Sequence, residues 1–272
     1  MAILFTKKEY LFKTIFFLLI LLSNNFYAFS QKKTPLSQKL NTKEFVISYA
    51  ISITGEKTDG IAQTYNGGLK TVFIKNDLVR LRLVSLMRVQ SIYFNNKIGL
   101  KTKVATVTKE SGKEKAKMYL NSKEWKIYNK KNDSSRCDIF IEDTTRILNI
   151  LCTKAIITLK DSTILTVYYL PNFNSKNLKA AEPLFNKIPG IPLKYTYTIN
   201  NKTIEYTAVN FKSAPILQKV FSIPGKGYIT QKYKPGASTS IENLNADDAD
   251  DEGTEEEENE NVAPIVTPVK TP

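Results

Sequence analysis

The residues able to do chemistry in this 272-residue chain are few, and what is missing narrows the options most. There is no histidine, which removes Ser-His-Asp and Cys-His nucleophile systems, HExxH zinc sites and any imidazole base titrating near neutrality. Cys137 and Cys152 are the only thiols, too few for a structural zinc site. A bridge between them would be worth about 3 kcal/mol in an oxidising compartment. The other reading is two small apolar side chains on strands. Between residues 31 and 236 the acids are scattered, and only Glu142 and Asp143 adjoin. Neighbours on a strand point to opposite faces, so no paired-carboxylate site is legible. No G-x-S-x-G, P-loop or dinucleotide fingerprint occurs. Asp248, Asp250, Glu252 and Gly253 imitate the start of a calcium loop, but its twelfth position falls on Asn259, where a bidentate Glu is needed. The reading is a non-enzymatic chain with no catalytic residue, no metal and no cofactor.

Charge is segregated along the chain. Residues 237–272 carry eleven acids and one base, whereas residues 31–236 carry 35 bases and 14 acids. The bases of the whole chain are 34 Lys and 5 Arg, a mixture poorly suited to bidentate phosphate recognition. Lys clusters at 97–103, 109–117 and 123–131 fit a solvated surface, or a partner such as an anionic envelope component or an acidic protein. Nucleic acid is not expected as a partner.

The elements that would position these groups follow from the apolar pattern. Lys7, Lys8 and Lys13 precede the apolar run 15–22, and Ala28-Phe29-Ser30 supplies small residues for a signal peptidase. We therefore expect a signal peptide over 1–30 cleaved after Ser30, a linker over 31–42, one β-rich domain over 43–236 and a disordered acidic, Pro-containing tail over 237–272. An apolar run of eight residues is too short to span a bilayer, so the chain is not expected to be an integral membrane protein. The destination is the periplasm or the extracellular side of the envelope.

Within the domain the period is two. Phe45, Ile47, Tyr49, Ile51 and Ile53 alternate with small or polar residues. Leu69–Ile74 and Leu78–Leu86 flank a Lys75-Asn76-Asp77 turn, and Ser91–Phe94 follows. Val104–Val107 and Lys115–Leu120 predict a hairpin around Gly112. Trp125–Tyr128, Asp138–Ile141, Cys152–Leu159 and Thr163–Leu170 continue the series. Leu193–Ile199 and Ile204–Ala208 pair across Asn200-Asn201, and Leu217–Ile223 and Tyr228–Gln231 complete it. Helix is expected only at Thr144–Ile150 and Lys176–Lys187, the latter cut short by Pro183. The economical architecture is mainly β, one large curved antiparallel sheet with one or two short helices. A closed barrel or a sandwich fits the same pattern.

The stretch "FNKIPGIPLKYTYTINNKTIEYTAVNF", followed by "LQKVFSIPGKGY", resembles a group of exported proteins common in Bacteroidetes, with "G-(I/L)-P-L-x-Y" opening a hairpin and "F-x-(I/L)-P-x-(G)-Y" closing the domain. The segment "ILNILCTKAIITLKDSTILTVYYLPN" is similar to another of their motifs, with Asn149 where Gly is usual. The group is similar to GLPGLI-type proteins of the lipoprotein-carrier (LolA/LolB-like) superfamily, over residues 43–233. The resemblance implies an incomplete LolA-like barrel around short helices, with an apolar hollow and no catalytic residues. Gly190 and Pro192 read as residues that set the course of the chain into the following strand. Together these readings predict a binding protein whose apolar face holds a lipid or other apolar ligand against Phe45, Tyr49, Leu81, Leu83, Tyr195, Tyr197 and Tyr206. The alternative is a scaffold protein that binds anionic envelope components or a protein partner through its charged surface.

Overall fold

A computed structural model describes residues 41–55, 64–97, 99–101, 103–132, 134–199 and 201–235. The expected signal segment, nearly all of the linker and the acidic tail with its calcium-like run lie outside the described residues. Twelve strands form one open curved sheet: β1 (Glu44–Gly55), β2 (Leu69–Lys75), β3 (Leu78–Val84), β4 (Arg88–Asn95), β5 (Val104–Glu110), β6 (Ala116–Leu120), β7 (Ser134–Ile147), β8 (Ile150–Leu159), β9 (Ile164–Pro171), β10 (Gly190–Ile199), β11 (Lys202–Lys212) and β12 (Ile229–Gln231). The order is β12-β6-β5-β4-β3-β2-β1-β11-β10-β9-β8-β7. Two antiparallel meanders thus meet at β1, which pairs with β2 on one side and β11 on the other. Among the described residues only the β12–β6 pair is parallel, a departure from the all-antiparallel expectation.

Alternation makes one face of this sheet apolar. Phe45, Ile47, Tyr49 and Ile51 of β1, Val79, Leu81 and Leu83 of β3, and Leu193, Tyr195 and Tyr197 of β10 are all buried in a single continuous core. That core is closed by two short helices, α1 (Ser122–Tyr128) and α2 (Lys176–Ala181), and by the 3-10 turn Pro183–Phe185. On the opposite face Tyr93, Ala105 and Val107 form a small second cluster under Tyr228.

Three expected elements differ. Trp125–Tyr128 is helical, not extended, because Asn121 caps it: its side chain accepts from the N–H groups of Lys123 and Glu124 at 2.9 Å, while Glu124 accepts from the Asn121 N–H at 2.7 Å. This reciprocal capping box outweighs the strand preference of Trp, Ile and Tyr. Thr144–Ile150 is not a helix but the end of β7, a tight turn and the start of β8. Leu148 and Asn149 take φ of +53° and +62°, the two left-handed positions of a type I′ hairpin turn, so Asn149 adopts the conformation a Gly would. Leu217–Ile223 carries a 3-10 turn over Gln218–Phe221 instead of a strand. The Lys176–Lys187 helix does form and does stop before Pro183.

Gly190 earns its place sterically. A Cβ there would lie 2.1 Å from the Leu170 carbonyl oxygen and 2.6 Å from the Tyr169 ring, on the paired strand β9. Gly190→Ala is expected to destabilise the fold by about 1–3 kcal/mol, read as a lower urea midpoint with an unchanged slope.

Candidate functional site

The most unusual group in the core is a lysine. On β2 the inward phase is Lys70, Val72 and Ile74, so the lysine enters the interior where alternation asks for an apolar residue. Lys70 is 2% exposed. It lies directly across from Tyr49 in the β1–β2 ladder, and its ammonium donates to the Tyr195 hydroxyl at 2.9 Å. The same ammonium sits over the rings of Tyr49, Tyr195 and Tyr206 at 6.0, 5.3 and 5.5 Å. Tyr195 and Tyr206 stack at 4.5 Å across the β10–β11 pair, and Tyr195 meets Tyr49 edge-on.

The counter-charge comes from the helical layer. α2 is capped by the Ser175 hydroxyl and ends at Glu182, whose φ of −127° and ψ of 77° lie outside the helical region. A residue before proline is pushed out of the helical region, so Pro183 is the local reason for this break. The break leaves Glu182 8% exposed, with its carboxylate ion-paired to Lys70. Burial, followed by the Glu182 charge, pushes the Tyr49 hydroxyl well above its ordinary pKa. That hydroxyl donates to the Pro192 carbonyl at 2.7 Å.

A pocket of about 30 Å³ opens at the seam between the sheet and the helical layer. Lys70, Leu81 and Ile92 form its sheet wall, and Trp125, Tyr128, Asn129, Glu182 and Leu184 its helical wall. A volume of this size admits a water or two, not an acyl chain. Trp125 donates its indole N–H to the Ala180 carbonyl at 3.1 Å, and Asn177 joins Asn76 and Asn96 at 2.5 and 2.8 Å. These bonds and the Lys70–Glu182 pair are polar ties that fix the helical layer.

All seven residues expected on the apolar face are on it and buried. Tyr49, Tyr195 and Tyr206 surround Lys70, and Tyr197 stacks against Tyr206. Leu81 alone of the seven lines the pocket. Phe45 packs elsewhere, with Phe173 and Phe211. Lys70, Glu182 and Trp125 are the residues that pattern reading missed. For Lys70 the available signal was its inward phase with Val72 and Ile74, and for Glu182 its place before Pro183.

The two cysteines do not meet in the sheet. Both thiols are free. In the β7–β8 ladder Cys137 stands opposite Ile157 and Cys152 opposite Thr145, five residues apart along β8. At ~3.3 Å per residue that is ~16 Å, beyond the ~7 Å a bridge tolerates. Burial raises both thiol pKa values, that of Cys152 to about 11. Neither is a thiolate at neutral pH. Asp143 pairs with Lys154 at 2.7 Å. Among the described residues no three Cys, Asp or Glu side chains gather as a metal site.

No family model matches the sequence, and neither does any curated protein. Among solved structures, PNGF-II aligns with 70% of this chain at 15% identity and a TM-score of 0.41, over 31% of its own length. The LolA superfamily protein NE2245 from Nitrosomonas europaea aligns with 68% of this chain and 92% of its own, at 10% identity and a TM-score of 0.34. Lipoprotein LppX from Mycobacterium tuberculosis aligns with 63% and 88%, at 10% identity and 0.27. This chain therefore spans under a third of PNGF-II.

Three outcomes are expected. Alkylation of the chain unfolded without reductant should add two groups by mass, where a bridged protein would add none. Glu182→Ala removes a carboxylate that is ion-paired with a buried ammonium and should cost about 3–5 kcal/mol in urea unfolding. Lys70→Met/Glu182→Leu, which removes both charges, should restore most of that stability.

Proposed function

We propose that this chain is an exported, non-enzymatic binding protein of the cell envelope that holds a lipid or other apolar ligand against the concave face of its sheet. The observation that carries the reading is the construction of the core. A twelve-stranded open sheet buries its whole apolar face, yet its cover is two short helices and a 3-10 turn, not a second sheet. The cover meets the sheet at a pocket walled by Leu81, Ile92, Trp125 and Leu184. A ligand chain enters there by displacing apolar side chains of the cover, exchanging one apolar contact for another at little net cost in buried area.

Two further points support this. The motif-bearing hairpin β10–β11 supplies Tyr195, Tyr197 and Tyr206, which is consistent with the GLPGLI-type, LolA-like reading of the sequence. Among the described residues no helix is long and apolar enough to cross a membrane. Export through a signal segment cleaved after Ser30 belongs to the same proposal.

Trp125 is the only tryptophan of the chain and stands in the pocket wall, so it reports directly. A bromine-bearing C12 alcohol should quench its emission saturably, at about one equivalent per chain. Emission that stays constant, with binding only to anionic surfaces, would favour the scaffold alternative.

A further inference from the structure

The face of the sheet opposite the apolar concavity carries two arginines that take no part in the pocket. Arginine is scarce in this chain, five against 34 lysines. Three of the five have partners of their own: Arg88 pairs with Glu110 at 3.4 Å, Arg136 pairs with Asp138 at 2.7 Å, and Arg146 donates to the Asn149 carbonyl at 3.1 Å. The other two, Arg80 and Arg82, share the outward phase of β3, because Val79, Leu81 and Leu83 take the inward one. Among the described residues neither is ion-paired. Their surroundings explain this. Strands β2, β3 and β4 contain no Asp or Glu. Nor does the segment 213–231, whose Val220 carbonyl accepts from Arg80 and whose Tyr228 packs on Tyr93, Ala105 and Val107.

The two cations sit in a row of hydroxyl groups. Thr71 and Ser91 stand directly opposite Arg82 in the two neighbouring ladders, and Ser48 lies beyond Thr71. Directly opposed side chains start about 5 Å apart, so a hydroxyl flanks Arg82 on either side. Thr71 and Ser91 are buried, at 8% and 3% exposure. Arg80 donates to the Val220 carbonyl at 3.0 Å and to the Ser91 hydroxyl at 3.3 Å, with its guanidinium 4.9 Å from the Tyr93 ring. Its Nε–H is buried with no partner, a cost that an acceptor placed against it removes. Burial first, and then the Arg82 charge, pull the Arg80 pKa below its ordinary value. Cations rooted about 7 Å apart on one strand repel, and an anion between them relieves the repulsion.

We infer that this face binds a phosphate group, as a dianion, between Arg80 and Arg82. Two guanidinium groups match its two charges, and their N–H forks together with the Thr71 and Ser91 hydroxyls supply donors around a tetrahedral oxyanion. A carboxylate, with one charge and two oxygens, leaves half of that set unused. The site lies on the other face of the sheet from the pocket and stands whatever the concave face holds.

Arg82 is the residue to vary. Its side chain makes no hydrogen bond or ion pair among the described residues, so Arg82→Gln should leave the urea midpoint unchanged. The full chain is titrated with inorganic phosphate and with acetate at about pH 8, where a phosphate group is mainly a dianion. Calorimetry gives the affinity, and the guanidinium carbon signals of the five arginines give the place. Phosphate should bind at about one equivalent and move two of the five signals, with acetate at least about tenfold weaker. Arg82→Gln should weaken phosphate by about tenfold or more, and Arg82→Lys, which keeps the charge without the fork, should recover only part of the loss. Vesicles of phosphatidylcholine with phosphatidic acid separate the two sources of the group. Vesicle binding that Arg82→Gln abolishes assigns the phosphate to a lipid head, whereas vesicles that do not bind, or bind the variant equally, assign it to a soluble phosphate. Acetate binding as tightly as phosphate, arginine signals that all move or all stay, or a phosphate affinity unchanged in Arg82→Gln overturns the site.

Discussion

The contact on which the arrangement turns is the ion pair between Lys70 and Glu182. It lies beside the strand that joins the two halves of the sheet, for β1 receives β2 on one flank and β11, more than a hundred residues later, on the other. Tyr49 from β1, Tyr195 from β10 and Tyr206 from β11 converge on the ammonium of β2. One charged side chain therefore draws three strands and the helical layer to a common point. Buried ion pairs add little net stability over apolar packing, but breaking one from a single side is costly. Such a pair acts less as glue than as a condition on the fold: the cover can close only in the position that brings Glu182 to Lys70.

The same geometry explains why the sheet can remain open. An open sheet exposes two edges, and natural proteins blunt them with short strands, bulges and charges. Here one edge is the three-residue β12, and the other is β7, which bulges between Phe140 and Thr144 and carries Arg136, Asp138, Glu142 and Asp143. With both edges protected, the sheet has no need to close on itself. Its apolar face is left to a small helical cover, and a pocket forms where cover and sheet meet. Architecture and proposed activity share one cause: an apolar concavity covered by two short helices and a 3-10 turn in place of a second sheet.

Much of this was legible in the residues. Period-two alternation gave the strands of β1, β3, β10 and β11 and the apolar face they share, because a half-buried strand needs only its own sequence to declare itself. Pro183 worked as a local signal for the same reason, and Ile199 pairs with Lys202 where the hairpin was expected. The failures came where two local rules competed or where the answer was set by distant chain. Trp125 and its neighbours have strand propensity, yet Asn121 and Glu124 cap a helix. Leu148-Asn149 interrupts what looked like helix with two left-handed residues. The cysteines are near in sequence, but ladder register holds them apart. Lys70 was passed over because alternation assigns a lysine to solvent, and its burial goes with an ion pair to a carboxylate 112 residues away, which no local pattern reveals.

The most direct measurement is to purify the intact chain from the cells that make it without added lipid or detergent, extract it with organic solvent and weigh what is released. The account predicts close to one equivalent of a molecule with a long apolar chain per protein. A chain that comes out empty, while retaining its native fold, would contradict it.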